Sequence, residues 1–343
     1  MERGPLRKQK KPSVFIIAEA GVNHNGDLTT AIKLVDTAAK SGANAVKFQT
    51  FHTEDLVAPE CKTASHQKRS QEDNQFTMLK NLELSKDEFR TLKTYCDTKH
   101  IEFISTPYDV GSVSFLNELG VHRFKIASAE IVNKPVIEAV AQTRKPTLLA
   151  TGMATLGEIE QALSIFRGFG SNDITLLHCT TSYPTPYDQV HLRVMKTLET
   201  AFDLPVGYSD HTLGIEIAIM AVSLGATVIE KHFTLDRTMV GPDHYTSLEP
   251  DEFKKMVTAL RHVEQAFGQR EKTRTEEEQK NIRFMRRSIH AARDLCKGTR
   301  IEENDIVMLR ENDGLSPWQR DVVIGRTARK NIKKHQPITW DDL

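Results

Sequence analysis

Short apolar runs alternate with longer amphipathic stretches over the first 268 residues of the chain. Eight runs have strand character: VFIIA (14–18), AVKFQ (45–49), IEFIS (101–105), RFKIA (123–127), TLLA (147–150), ITLLH (174–178), PVGYS (205–209) and TVIEK (227–231). Between them apolar residues recur at helical spacing. Behind Asp27, suited to an N-cap, Leu28, Ala31, Ile32, Val35, Ala38 and Ala39 share one face. Behind Pro250, suited to a first helical turn, Phe253, Met256, Val257, Leu260, Val263 and Phe267 do the same. Such alternation predicts parallel strands joined by helical crossovers, and eight uninterrupted units predict a closed (β/α)8 TIM barrel. The 51–85 connection is long and polar, with CKTASHQKRSQEDNQ in its middle, and is expected to be an active-site loop.

The pattern changes after Gly268. QREKTRTEEEQKN (269–281) is charged and has no apolar face, which predicts a linker or a solvated helix. Beyond it, short strands with Lys-Gly and Ile-Gly turns predict a small β-rich domain. AARDLCKGTRI and TARKNIKKHQPI are weakly alike, as two similar strand–turn–strand units would be. The expected organisation is an N-terminal arm over 1–12, the barrel over 13–268, a linker over 269–283 and the small domain over 284–343.

Composition narrows the function. Lys plus Arg and Asp plus Glu both number 46, so no general affinity for nucleic acid or membrane surfaces is expected. No apolar run approaches the roughly 18–20 residues of a membrane span. The basic MERGPLRKQKKPS leads into an apolar stretch too short for a signal-peptide core. Four cysteines without CxxC spacing argue against a thiolate zinc site and a disulfide scaffold, and favour a reducing cytoplasm.

In a parallel barrel the chemistry sits at the C-terminal ends of the strands. Those ends carry Glu19; Lys47 and Gln49; Ser105 and Thr106; Lys125, Ser128 and Glu130; Thr151; His178, Thr180, Thr181 and Tyr183; Ser209, Asp210 and His211; and Glu230, Lys231 and His232. His211 and His232 end neighbouring strands, so their imidazoles can converge on one divalent ion in an open shell suited to Lewis-acid catalysis. Lys47 and Lys125, among hydroxyl donors, suit a compact dianion such as a phosphate ester. A competing reading exists for each: structural hydrogen bonds for the histidines, and ion pairs with Glu19 or Glu230 for the lysines. Alternative readings also exist for Glu19 as a rim ion-pair partner, Tyr183 as packing, and His24 as a residue that shapes its own loop.

Taken in order, FIIAEAGVNHNGD, ANAVKFQTF, FISTPYD, FKIASAE, TLLATGMATLGEIE, LLHCTTSYPTPYDQVHL, GYSDHTLG and VIEKHFTLDRTMVGPDH resemble the motifs of the sialic acid synthases. The final stretch, from SIHAARDLCKGTRIEENDIVMLRENDGLSP, resembles their antifreeze-like SAF module, and the likeness spans about residues 13–343. Within the family it is similar to bacterial N-acetylneuraminate and N,N′-diacetyllegionaminate synthases.

The resemblance implies condensation of phosphoenolpyruvate with N-acetylmannosamine or 2,4-diacetamido-2,4,6-trideoxymannose, releasing phosphate. It implies a divalent cofactor, Mn2+ first and Mg2+ or Co2+ next, held by His211 and His232. Lys47, Thr106, Lys125, Ser128, Thr181 and Ser209 match positions that hold phosphoenolpyruvate. Gln49, Glu130, Tyr183 and Asp243 match positions around the amino sugar, and Glu19 lies near the reacting carbons. Ala150 replaces a serine found in some members, a contact that Thr151 is then expected to supply. Arg310, in MLREND, matches an arginine carried into the partner's barrel in a domain-swapped homodimer. Three rivals remain at this stage: a Schiff-base aldolase using Lys125 or Lys231, a catalytically silent sugar-binding protein, and a related synthase with an aldose-phosphate acceptor.

Overall fold

The computed structural model describes residues 13–63, 72 and 74–343. The N-terminal arm and positions 64–71 and 73 of the long connection lie outside the described residues. The eight predicted strands are present: β1 (Phe15–Gly21), β2 (Ala45–Thr50), β3 (Glu102–Pro107), β4 (Phe124–Ile126), β5 (Thr147–Ala150), β6 (Ile174–His178), β7 (Val206–Asp210) and β8 (Val228–His232). They form one parallel sheet in the order β3-β2-β1-β8-β7-β6-β5-β4. The end strands β3 and β4 approach each other and bring the ring to near closure, without a ladder between them.

The helices, in chain order, are α1 (Leu28–Lys40), α2 (Thr53–Leu56), α3 (Gln75–Leu82), α4 (Lys86–Thr98), α5 (Val110–Glu118), α6 (Lys134–Thr143), α7 (Leu156–Gly168), α8 (Val194–Phe202), α9 (Glu216–Ser223) and α10 (Pro250–Ala266). All but α2 and α3 follow a strand in the barrel pattern. Their starts follow from local chemistry. Asp27 accepts from the Thr29 and Thr30 N–H groups, and Ser85–Glu88 and Thr155–Glu158 form reciprocal capping boxes; a cap of this kind contributes about 1 kcal/mol. The described part of the 51–85 connection differs from a simple loop. It carries α2 and α3, and Met78 and Leu82 of α3 pack against Val22 and Phe51 in a small core of their own.

The period of two along each strand sorts side chains between lumen and helix layer. Ile16, Ala18, Val46, Phe48, Phe103 and Ile229 join the large core under the helices. Ile17, Ala45, Ile104, Leu148, Leu177 and Val228 form a separate cluster that fills the lower lumen. One pleat further toward the C-terminal end, the same faces turn polar: Ile17 is followed by Glu19, Ala45 by Lys47 and Gln49, and Ile104 by Thr106. Val228 is followed by Glu230 and His232. The site is therefore the polar continuation of a packed lumen.

The second compact unit spans Gln269–Leu343. Its charged entry contains α11 (Glu276–Met285), which has no buried residue. Beyond lie the antiparallel strands β9 (Ser288–Ala291) and β10 (Ile306–Leu309), the short α12 (Arg320–Val323) and isolated bridges around a core of Ile289, Leu295, Ile301, Val323, Ile332 and Ile338. The weak internal likeness has a structural counterpart. Leu295 and Ile332 exchange two backbone hydrogen bonds of 2.8 Å, and at the same offset Gly298 N donates to Ala328 O while His335 N donates to Ala291 O. Gly298 and His335, both at positive φ, occupy equivalent turns. Arg293 pairs with Asp305 as Lys330 pairs with Asp342. Two similar halves face each other across a local two-fold.

Candidate active site at the C-terminal mouth of the barrel

Above the apolar plug lies a cavity with about 190 Å3 open to the centres of water-sized molecules. Its floor carries two buried ion pairs. Lys47 Nζ lies 2.6 Å from Glu19 Oε2 and Lys125 Nζ 3.2 Å from Glu230 Oε1. Lys47 also donates to Thr106 Oγ1 at 3.1 Å, and Ser209 donates to Glu230 Oε1 at 2.9 Å. These pairs match the competing reading of the two lysines, yet all four charged groups also line the cavity. Glu19 Oε2 and Glu230 Oε2 are buried without a hydrogen bond of good geometry. For Glu19 Oε2 the close approach of Lys47 is an ion pair rather than an aligned donor.

The two carboxyls are driven apart. Burial dominates at Glu19 and raises it to about 7, with Lys47 opposing. Burial also acts upward on Glu230, but Lys125, Lys47 and the Ser209 hydroxyl together hold it down at about 2. Burial would lower Lys125; Glu230 and Glu19 more than offset this and keep it protonated. Two acids in one cavity with such different affinities have separate roles open to them, one as a fixed anion and one exchanging protons near neutrality.

His211 and His232 meet at one side of the cavity, with ring centroids 5.5 Å apart and planes at 67°. Burial lowers His211 to about 4, and burial with His211 and Lys47 nearby keeps His232 well below the usual range. Both rings are neutral at pH 7. His211 Nδ1 lies 2.7 Å from the Thr180 carbonyl, which assigns that nitrogen as the donor and leaves Nε2 with a free lone pair. His232 Nδ1 is buried without a hydrogen-bond partner, 3.7 Å from Asp243 Oδ2. Tyr183 packs against His211 with ring centroids 4.3 Å apart and planes tilted by 35°, and meets His232 edge-on at 5.9 Å. Among the described residues no group of three or more His, Cys, Asp or Glu side chains is placed to hold a metal ion.

Ser128 and Thr181 line a cradle around Gly152. A Cβ on Gly152 would lie 2.5 Å from Thr181 Oγ1 and 2.8 Å from Ser128 Oγ, so only glycine fits. The Gly152 N–H donates to Ser128 Oγ at 3.0 Å, and Ser128 Oγ lies 3.0 Å from Cys179 Sγ. Gly21, at φ +53°, lets three polar groups approach: a Cβ there would lie 3.2–3.5 Å from Glu19 Oε1, Gln49 Nε2 and Asp243 Oδ2. Burial raises Asp243 to about 6, with Lys47 opposing.

Thirteen of the residues singled out from the sequence thus share one cavity: Glu19, Lys47, Gln49, Thr106, Lys125 and Ser128, with Thr181, Tyr183, Ser209, His211, Glu230, His232 and Asp243. Thr151 and Glu130 are set back from it. Thr151 Oγ1 donates to the Leu177 carbonyl at 3.1 Å, and Glu130 accepts from Asn133 Nδ2 at 2.6 Å. Arg310 follows β10 in the second unit. His24 Nδ1 accepts the Gly26 N–H at 3.0 Å and shapes its loop, away from the cavity wall. Tyr108 and Cys179 line the cavity without having been singled out from the sequence, and Glu230, read there only as an ion-pair partner of the lysines, lines it as well. The alternation V-I-E-K-H already placed Glu230 beside His232 on the lumen face.

A (β/α)8 barrel with buried acids, imidazoles and cations at its C-terminal mouth defines a TIM-barrel enzyme. The chain belongs to the NeuB family, whose family model matches residues 34–272, and an SAF domain matches residues 286–343. It is 46% identical over 328 residues to the N,N′-diacetyllegionaminic acid synthase of Campylobacter jejuni, across 94% of this chain and 98% of that protein. It is 42% identical over 335 residues to the protein of the same name from Legionella pneumophila, across 96% and 94%. The crystal structure of N-acetylneuraminic acid (sialic acid) synthetase from Leptospira borgpetersenii matches with a TM-score of 0.70 and 38% identity, covering 82% of this chain and 95% of that one.

Proposed function

We propose that the chain is a nonulosonic acid synthase that condenses phosphoenolpyruvate with an unphosphorylated N-acyl hexosamine and releases inorganic phosphate. The observation that carries this reading is the pairing of two buried lysines with surrounding hydroxyls beside two neutral imidazoles in one cavity. The names of the relatives point to the same chemistry. Lys47 and Lys125, with Thr106, Ser128, Thr181 and Ser209, hold the anionic substrate. Its carboxylate and phosphate replace Glu19 as the partner of Lys47 and join Glu230, which remains a fixed anion, at Lys125. Gln49, Tyr183 and Asp243 face the amino sugar. The enol carbon of phosphoenolpyruvate attacks the open-chain aldehyde, and water adds to the resulting cation at C2. Glu19, poised near neutrality, takes the proton of that water. The adduct then collapses to the 2-keto acid with C–O cleavage; the proton of its C2 hydroxyl leaves with the phosphate, and the proton taken by Glu19 neutralises the alkoxide left at the former aldehyde. Much of the acceleration is positioning and charge stabilisation.

The donor set fits a divalent ion with an open shell. Two neutral nitrogens, one of them buried and unpartnered, leave the remaining positions to oxygen ligands. When bound by His211 and His232, Mn2+ or a similar ion would polarise the sugar aldehyde. The resemblance also carries the proposal of a domain-swapped homodimer in which Arg310 of one copy reaches the cavity of the other. Within the described residues no helix is long and apolar enough to cross a membrane, and a cytoplasmic location is proposed. The Schiff-base rival is disfavoured: Lys125 is held protonated by its partners, and Lys231 is ion-paired to Asp210 at 2.8 Å outside the lumen. The test is phosphate release from phosphoenolpyruvate. It is expected only with added N-acetylmannosamine or 2,4-diacetamido-2,4,6-trideoxymannose and lost on chelation with EDTA. Release without sugar, or pyruvate trapped on the protein by borohydride, would overturn the proposal.

A further inference from the structure

The turn after β1, VNHNGD (22–27), carries none of the chemistry above, yet it reaches far across the chain. His24 turns back on its own loop, whereas its two asparagine neighbours face the segment between β8 and α10. Asn23 is buried and donates both protons of its amide, one to the Phe233 carbonyl at 2.9 Å and one to Ser247 Oγ at 3.0 Å. Its own Oδ1 is left buried without a partner. The orientation is fixed all the same, because a carbonyl only accepts and a flipped amide would set two oxygens against each other. Ser247, equally buried, passes the bond on: its hydroxyl donates to the Asp243 carbonyl at 2.7 Å.

A second stitch lies on the other side of Asp243. Asn25 Nδ2 donates to the Val240 carbonyl at 2.9 Å, so its Oδ1 faces His244 Nε2 at 3.2 Å as an acceptor. The ring proton of the buried, neutral His244 therefore sits on Nε2, and Nδ1 accepts the Thr234 hydroxyl at 2.7 Å. Gly241 is pressed against both partners: a Cβ there would lie 2.6 Å from His244 Cδ2 and 2.9 Å from Asn25 Oδ1. The backbone around Asp243 is thus tied down before and after it, while Asp243 Oδ2 stands 3.7 Å from His232 Nδ1 at the cavity.

We propose that Asn23 is a positioning residue for the acceptor side of the reaction: through Ser247 it sets the place of Asp243, and Asn25 with His244 completes the clamp. None of these four side chains lines the cavity, so their effect reaches the sugar only through the loop they hold. Once that loop is released from the β1 turn, Asp243 has several places to occupy. A displacement of about 1 Å at such a group costs up to about 100-fold in rate. This rests on the synthase reading above, in which Asp243 faces the sugar.

The experiment measures kcat and both KM values on the full-length protein. The substrates are phosphoenolpyruvate and whichever of N-acetylmannosamine and 2,4-diacetamido-2,4,6-trideoxymannose supports phosphate release. Asn23→Leu keeps the volume and loses both donors. It should lower kcat/KM for the sugar about 10- to 100-fold and leave KM for phosphoenolpyruvate within about twofold. Ser247→Ala removes a single hydroxyl and asks less of the fold; it should lower the same ratio about 3- to 10-fold. Asp243→Ala supplies the background that separates positioning from mere support. There Ser247→Ala should cost less than about twofold further, because the group it positions is already gone. Losses that multiply fully in that double variant, or KM for phosphoenolpyruvate rising in step with that for the sugar, would make Asn23 and Ser247 structural and overturn the proposal. Wild-type kcat/KM for the sugar in Asp243→Ala would take Asp243 off the acceptor side, and this inference with it, while the synthase stands. No phosphate release with either sugar removes the synthase reading itself.

Discussion

Strand β8 supports two kinds of buried charge one residue apart. Lys231 faces the helix layer, where its Nζ donates to Asp210 Oδ2 at 2.8 Å and to the Thr212 carbonyl at 2.5 Å; Asp210 Oδ1 accepts from the Thr212 N–H and hydroxyl. These donors and acceptors are directed at one another. Glu230 and His232 face the lumen, where Lys125 and Ser209 satisfy one oxygen of Glu230 and leave the other bare, and His232 Nδ1 has no partner. Both regions hold opposite charges out of water at similar depth. The outer pair is closed and belongs to the fold, whereas the inner groups keep lone pairs and donors in reserve for something else.

Substitutions can test that contrast. The largest effect is expected for Glu19→Gln, which keeps the shape and removes the base. Its kcat should fall by about 10²–10⁴-fold, the usual worth of a positioned proton acceptor. In the wild type the rate should drop as pH falls below about 7, where Glu19 takes up its proton. The stability sign runs the other way. A carboxyl raised from 4.5 to about 7 stabilises the fold fully below about 4.5 and loses that contribution as pH rises through 7. The pH dependence of Tm between 5 and 8 should therefore flatten in Glu19→Gln. A variant with wild-type kcat would remove Glu19 from the mechanism.

Next in size is Lys231→Met. Stranding Asp210 should cost about 3–5 kcal/mol in chemical denaturation, and Lys231→Met with Asp210→Leu should recover much of it. Whatever folds should keep a normal KM for phosphoenolpyruvate; a selective loss of substrate affinity would erase the distinction between the two faces. Smallest is Lys125→Met. It should weaken phosphoenolpyruvate binding by about 10- to 100-fold, as expected for losing a charged hydrogen bond worth about 1.5–3 kcal/mol. It should also abolish the thermal stabilisation that phosphoenolpyruvate gives the wild type. An undiminished ligand shift in Lys125→Met would place the anion elsewhere.

The period of two carried most of what could be known beforehand. Once TVIEKH is a strand with Val228 in the lumen, Glu230 and His232 must follow it and Lys231 must face outward. The same logic places Glu19, Lys47, Thr106 and Lys125. What stayed hidden depends on contacts without periodicity. Thr151 ends its strand like its neighbours, but its hydroxyl turns back to Leu177, a choice made by backbone geometry after β5. The apolar patch of α3 was illegible because Met78, Leu79 and Leu82 occupy one short stretch of a polar connection, too brief to register as an amphipathic helix. Cys179 reads as an ordinary small apolar residue until Ser128 is seen beside it.

The mirrored halves of the C-terminal unit have a consequence for how it comes apart. Because Leu295 and Ile332 each supply the other's backbone partner, neither half can keep its ladder once the other has gone. The unit behaves as a dimer tied into a single chain. Its amides at Leu295, Gly298, Ile332 and His335 should exchange with solvent only in one shared opening, and a cut between the halves would leave two fragments that need each other at high concentration to regain any structure.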